Sequence, residues 1–272
     1  MSSPRVPPVP AVLRLVQGAV LGRWRATGED LYREVARLGE AGPRREILVA
    51  GCGTGAAAEW LAVHTGAAVT GVDPDAESIT AAEARARTLD PVPPLHFEQS
   101  SLDDLPYEDA VFDVAIGEPA LSAAEDPGRA VAELVRVTRP MGTVLLLQPT
   151  WTSETPPDAR ELIVERLGLR PHLLMEWKQM LRDAGAVDLQ VQDWTTGAPG
   201  GRTASSTGEH HVVPLTPFEK AQIIGREWLR RGWRAARGAV ARETTLIRDI
   251  SRERAIGFQL VKGIKWPHPR ES

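Results

Sequence analysis

The chain has 272 residues, 42% of them apolar, a single cysteine and a net charge of −4 at neutral pH. That is enough apolar material for one main core and too few thiols for an internal disulfide framework or a multi-cysteine metal cluster. No uncharged apolar run approaches the roughly 20 residues of a membrane span, so the composition predicts a soluble, cytoplasmic protein.

The first ten residues, "MSSPRVPPVP", are proline-broken, and the apolar stretch after them carries Arg14 and Arg23, which does not read as a signal peptide. Residues 1–25 hold four arginines and no acid, and residues 219–254 hold ten basic against five acidic residues. Such segments are either solvated helix faces or contacts for an anionic partner. Between residues 46 and 150, "EILVAG", "AAVTGVD", "LHFEQS", "FDVAIG" and "TVLLLQP" read as short strands that end in turn formers. The segments between them, such as "AAAEWLAVH", "AESITAAEARARTL" and "DPGRAVAELVRVTRP", repeat apolar residues at three and four, as helices do. In the last of these Asp126 and Pro127 supply an N-cap and a first-turn proline. Alternation of this kind predicts an α/β fold, a mostly parallel sheet with helices on both faces.

Further along, "PPDARELIVERLG" and "PHLLMEWKQMLRDAGA" read as helices, the second closed by Gly185, and His172 stands at its start as a candidate cap. "VDLQVQDW" alternates as a strand, residues 197–217 form a loop rich in glycine, proline, serine and threonine, and "AIGFQLVKGIKW" is a closing strand. Between these last two lies a basic amphipathic segment with Phe218, Ala221, Ile224, Trp228 and Trp233 on one face, weakened as a helix by Gly225, Gly232 and Gly238.

The chemistry concentrates in "ILVAGCGTG", where a strand runs into glycines 51, 53 and 55 and then into a helix. Backbone N–H groups and a helix N-terminus can face a ligand there. The spacing G-x-G-x-G is one residue short of the dinucleotide fingerprint and lacks the lysine of a phosphate loop. Cys52, inside the turn, reads as a small packing residue. Asp73 ends the second strand, 22 residues beyond Gly51, where a carboxylate can accept from both hydroxyls of a ribose; the alternative is a helix cap before Pro74.

These residues resemble a known family, the class I S-adenosylmethionine-dependent methyltransferases, over about residues 40–197 and the final strand. "ILVAGCGTG" is similar to the family's first motif, "GVDPD" to its second, "SSLDDLPYEDAVFDVAIG" to the segment closing over the adenine, and "ELVRVTRPMGTVLLLQP" to its fifth strand and preceding helix. The resemblance implies a Rossmann-like seven-stranded sheet with a helical cap, and S-adenosyl-L-methionine as cofactor with S-adenosyl-L-homocysteine as product. By resemblance Gly51, Cys52, Gly53 and Gly55 admit the methionine end, Asp73 and Pro74 border the ribose, Ser101 and Leu102 flank the adenine, and Gly117 lies beside the methyl. Two positions depart from the family pattern: Val49 and Ser101 stand where it usually has acids.

The resemblance implies methyl transfer to a small molecule by in-line displacement, which needs alignment and exclusion of water. A base is needed only for a protonated nucleophile. Glu118 in "GEPAL" is the best-placed candidate for catalysis, against cofactor binding or capping of the next turn. His210 and His211 in the 197–217 loop are further candidates, against a solvated pair, and adjacent histidines without other ligands make a poor metal site. The expected organisation is a helical lid at 1–35, a cofactor-binding core at 36–197 and 255–272, and a substrate cap at 198–254. Trp151, after the fifth strand, favours an apolar or aromatic acceptor. Residues 219–254, with arginines among tryptophans, suit peripheral contact with a membrane surface or a polyanion such as RNA. Net acidity and the absence of a base-methylation motif count against nucleic acid. RNA methylation, or binding without catalysis, are the alternatives.

Overall fold

The computed structural model describes residues 28–152, 155, 160, 161, 164, 169–195 and 256–267. In chain order these form α1 (Gly28–Leu38), β1 (Glu46–Ala50), α2 (Ala56–Thr65), β2 (Ala68–Asp73), α3 (Ala76–Ala86), β3 (Leu95–Gln99), β4 (Phe112–Gly117), a 3-10 turn (Pro119–Ala123), α4 (Pro127–Val137), β5 (Thr138–Trp151), β6 (His172–Leu173), α5 (Leu174–Asp183), β7 (Ala186–Asp193) and β8 (Ile256–Lys265). The expected lid boundary at residue 35 falls inside α1, which runs on to Leu38. The helix read at 156–168 lies almost wholly outside the described residues, as do 1–27 and the expected cap at 198–254.

The sheet order is β3-β2-β1-β4-β5-β8-β7, with the two-residue β6 beside β5 as an eighth strand. Strands β1 to β5 pair in parallel and β8 runs antiparallel to both neighbours. β6 pairs with Thr150 and Trp151, beyond Leu146, where β4 has ended. Side chains alternate across the sheet as a strand's two-residue period requires. Ile47 and Val49 join one cluster with Leu31, Tyr32 and Val35 of α1, Trp60 and Leu61 of α2 and Ile79 of α3. Leu48 and Ala50 join the other, with Ala130, Leu134 and Val137 of α4 and Trp177 and Leu181 of α5. Helices therefore cover both faces, and β5 reads as an unbroken buried run from Thr143 to Trp151.

Two local readings are corrected. Helix α4 stops at Val137, not near Pro140, because the residue before a proline is driven out of the helical region; Thr138 turns extended and its hydroxyl caps the Leu134 carbonyl at 2.6 Å. His172 does not cap a helix: it lies in β6, its ring edge-on to Trp177 at 5.1 Å, and the Glu176 carboxylate accepts the Leu173 N–H at the helix start.

Arg136 fastens the far side of α4. Its guanidinium donates to both oxygens of Glu133, to Asp109, and to the carbonyls of Leu105 and Tyr107, while the Lys265 ammonium caps the carbonyls of Arg136 and Thr138 at 2.8 Å. Arg136→Ala is expected to lower stability by roughly 2 kcal/mol, read as an earlier midpoint in urea. Arg136→Lys should recover little of it, since a single ammonium cannot span that fork of acceptors.

Candidate active site

Order in the sheet reverses between β1 and β4, so the crevice at the carboxyl ends of β1, β2 and β4 is where such a fold takes its ligand. The glycine turn fills its floor. Gly51, Gly53 and Gly55 have φ of 76°, 52° and 78°, a region that side chains rarely adopt. The three are glycine for different reasons. A β-carbon on Gly51 would lie 2.7 Å from that of Ala120, and one on Gly55 would lie 2.4 Å from the Phe97 ring; one on Gly53 meets nothing within 4 Å. Gly51 and Gly55 thus admit other parts of the protein, and the open side of the turn is at Gly53. Gly117 likewise gives way to Leu121, Leu134 and Leu146 on the α4 face.

The turn is pinned to β2. Gly51 and Cys52 both donate to the Val72 carbonyl, at 2.8 and 3.0 Å, and the Gly53 N–H reaches Asp73 Oδ2 at 2.8 Å. Cys52 is buried, and burial, reinforced by the charges of Asp73 and Glu118, pushes its thiol far above the usual range. A thiol held neutral is a packing group.

Asp73 is buried at the end of β2, and its other oxygen accepts the Asp75 N–H at 3.0 Å. The cap of α3 is Asp75, which accepts from Ser78 N–H, so the capping alternative for Asp73 is removed. Pro74 is exposed, its carbonyl held by Gln99 at 3.2 Å. Ser101 is exposed and its hydroxyl donates to the Asp103 carboxylate, so an acid does stand at this edge, two residues later than the family pattern. Leu102 is buried, and its side chain belongs to the α4-side core.

Glu118 follows β4 and is 6% exposed. Its carboxylate does not cap the 3-10 turn; it accepts the Tyr32 hydroxyl of α1 at 2.8 Å. Burial raises its pKa to about 7, opposed by the Tyr32 hydrogen bond. The phenol of Tyr32 is in turn pushed up, by burial first and then by Glu118. Behind it Gln148, fully buried in β5, donates to the carbonyls of Gly117 and Glu118 at 3.0 and 2.8 Å and accepts from Ser122. Neither Tyr32 nor Gln148 was singled out by sequence reasoning; the available signal for Gln148 is one amide inside the apolar run "LLLQP".

Trp151 closes β5 at the edge of this region, with the Arg160 guanidinium 5.5 Å from its ring centre. Trp177 and Trp194 are core, Trp266 is exposed, and Trp228, Trp233, His210 and His211 lie outside the described residues. Among the described residues no cluster of three metal-ligating side chains occurs and no helix is long and apolar enough to cross a membrane.

A doubly wound sheet whose glycine turn opens at the strand-order reversal defines a Rossmann-like ligand-binding protein. Residues 48–146 match the methyltransferase domain family. The chain is 30% identical over 168 residues to the O-methyltransferase cnsE of Penicillium expansum, a match covering 61% of this chain and 60% of that protein. A putative sarcosine dimethylglycine methyltransferase from Galdieria sulphuraria superimposes with a TM-score of 0.66 at 17% identity, over 88% of this chain and 84% of its own. The [4+2]-cyclase SpnF superimposes with a TM-score of 0.67 at 21% identity, over 94% and 93%. The two structures speak for the fold. The chain spans about 60% of the length of the curated relative above.

Proposed function

We propose that the protein transfers a methyl group from S-adenosyl-L-methionine to a small, apolar or aromatic molecule. The observation that carries this reading is a glycine turn open at Gly53 beside the buried carboxylate of Asp73. The residues fit the cofactor: the turn leaves backbone accessible where a β-carbon would protrude, and a carboxylate has acceptor capacity beyond the two N–H groups that Asp73 already holds. S-adenosylmethionine supplies a methyl on a sulfonium, activated for in-line displacement. The chain's part is to bind and align: Gly53 and its neighbours seat the amino-acid end, Asp73 the ribose, and the Ser101–Asp103 pair the adenine edge. With the carbon already activated, alignment and exclusion of water are the main demands on the protein.

The acceptor reading is supported by Trp151 at the carboxyl end of β5 and by the O-methyltransferase relative. The protein works in the cytoplasm, and the basic segment 219–254 adds a peripheral membrane contact from which an apolar acceptor is drawn. Co-sedimentation with anionic vesicles that declines as salt rises tests that contact.

The decisive test is calorimetric titration with S-adenosylmethionine and S-adenosylhomocysteine. Micromolar binding is expected, and Asp73→Ala should weaken it at least tenfold, ~1.4 kcal/mol. Failure of both ligands to bind the wild-type protein would overturn the reading and leave a methyltransferase-like scaffold.

A further inference from the structure

Glu118 is a buried carboxylate with no cation beside it among the described residues. Its one hydrogen-bond donor there is the neutral phenol of Tyr32. A carboxylate removed from water in this way is costly unless a positive group or a proton compensates it. The charges that raise the Cys52 thiol are those of Asp73 and Glu118, with Arg85 acting more weakly in the opposite sense, so the turn lies between two acids. They arrive from opposite sides: Asp73 from β2 and Glu118 from β4, the two strands flanking β1. Two strand spacings separate them, about 10 Å, a distance suited to a nucleoside carrying an amino-acid tail. Glu118 is also tied to the turn itself. Its N–H donates to the Ala50 carbonyl at 2.9 Å, and its β-carbon lies 3.6 Å from where one on Gly51 would stand.

We propose that Glu118 is the acceptor for the ammonium group of the cofactor's amino-acid end, held in place by Tyr32 of α1. The inference rests on the cofactor reading above. Glu118 then binds the cofactor and is not the base for the acceptor. The other groups around it fit that role: Tyr32 on α1 is a neutral donor, Cys52 on the turn is a neutral thiol, and β5 contributes the uncharged Gln148, which fixes the backbone under the carboxylate. The ligand's ammonium would take the place of the proton as the positive charge that compensates the buried carboxylate.

The test compares S-adenosylhomocysteine with 5′-methylthioadenosine, which keeps the nucleoside and sulfur and lacks the amino-acid end. Glu118→Gln should weaken S-adenosylhomocysteine at least tenfold and leave methylthioadenosine within twofold. Equal losses for both would make Glu118 a support of the turn, and unchanged binding with impaired methyl transfer would make it a base; either result overturns the proposal. Absence of binding of all ligands to the wild-type protein would instead remove the cofactor reading on which it stands. A second measurement needs no variant. At pH 6, titration in buffers of different ionisation enthalpy should show S-adenosylhomocysteine releasing a proton as the carboxyl ionises against the ammonium, and methylthioadenosine releasing none. No difference between the two ligands overturns the proposal.

Discussion

Gly55→Ala is expected to destabilise the protein by roughly 3 kcal/mol, and Gly53→Ala by about 1 kcal/mol. Both positions are left-handed, at φ of 78° and 52°, so each new methyl incurs the ordinary cost of that conformation, about 1–2 kcal/mol. Gly55 bears a second cost. Its β-carbon would meet the Phe97 ring at 2.4 and 2.6 Å and Ala82 at 2.9 Å, and overpacking of a filled core costs typically 1–3 kcal/mol. The ring cannot swing clear, because its other side is packed on Gly71, where a β-carbon would lie 2.7 Å from Cδ1 and Cε1. Urea unfolding of the two variants measures the difference directly. Gly53→Ala should show its larger effect in ligand affinity, since its methyl enters the open side of the turn. Equal loss of stability in the two variants would refute this division of roles.

Stability should fall as pH rises from about 4.5 to about 7, by up to about 3 kcal/mol, through Glu118 alone. The folded-state pKa of about 7 lies above the ordinary value of 4.5 because burial disfavours the charged form. Between those values the folded state keeps the proton and the unfolded state releases it. The folded protein therefore binds more protons, and raising the pH favours unfolding. The contribution is fully present below about 4.5 and gone above about 7. Glu34 and Glu133 act in the opposite sense and in another window: the Arg37 and Arg136 hydrogen bonds hold them below the ordinary carboxylate range, so their support is lost only on further acidification. Urea midpoints at pH 5 and pH 8 should differ for the wild-type protein and converge in Glu118→Gln. A wild-type midpoint independent of pH over that interval would count against a neutral, buried Glu118.

Strands β1 to β5, the helices between them and the Asp126–Pro127 cap were legible because each is written in a local period or an adjacent pair of residues. The placement of Asp73 at a strand end was legible for the same reason. What sequence could not yield was partnership at distance. The Tyr32–Glu118 bond joins residues 86 apart and the Gln148 bonds span 30 and 31, and no periodicity encodes them. The glycines were visible and their reasons were not, since a glycine beside Phe97 and one beside open space look alike in a string of letters. β6, two residues long, exists only because β4 ends before β5 does.

The placement of β8 has a consequence for how the protein is made. Strands β5 and β7 are synthesised well before it, yet neither finds its neighbour on that side until residues 256–265 follow. About 60 residues separate β7 from β8 in the chain, which at ribosomal rates of about 5–20 residues per second is several seconds of translation. Without β8, that side of β5 has an open edge of the kind on which chains aggregate. Strand β8 is a keystone, and the nascent protein depends on its arrival, or on a chaperone's patience, to join β7 to the rest of the sheet.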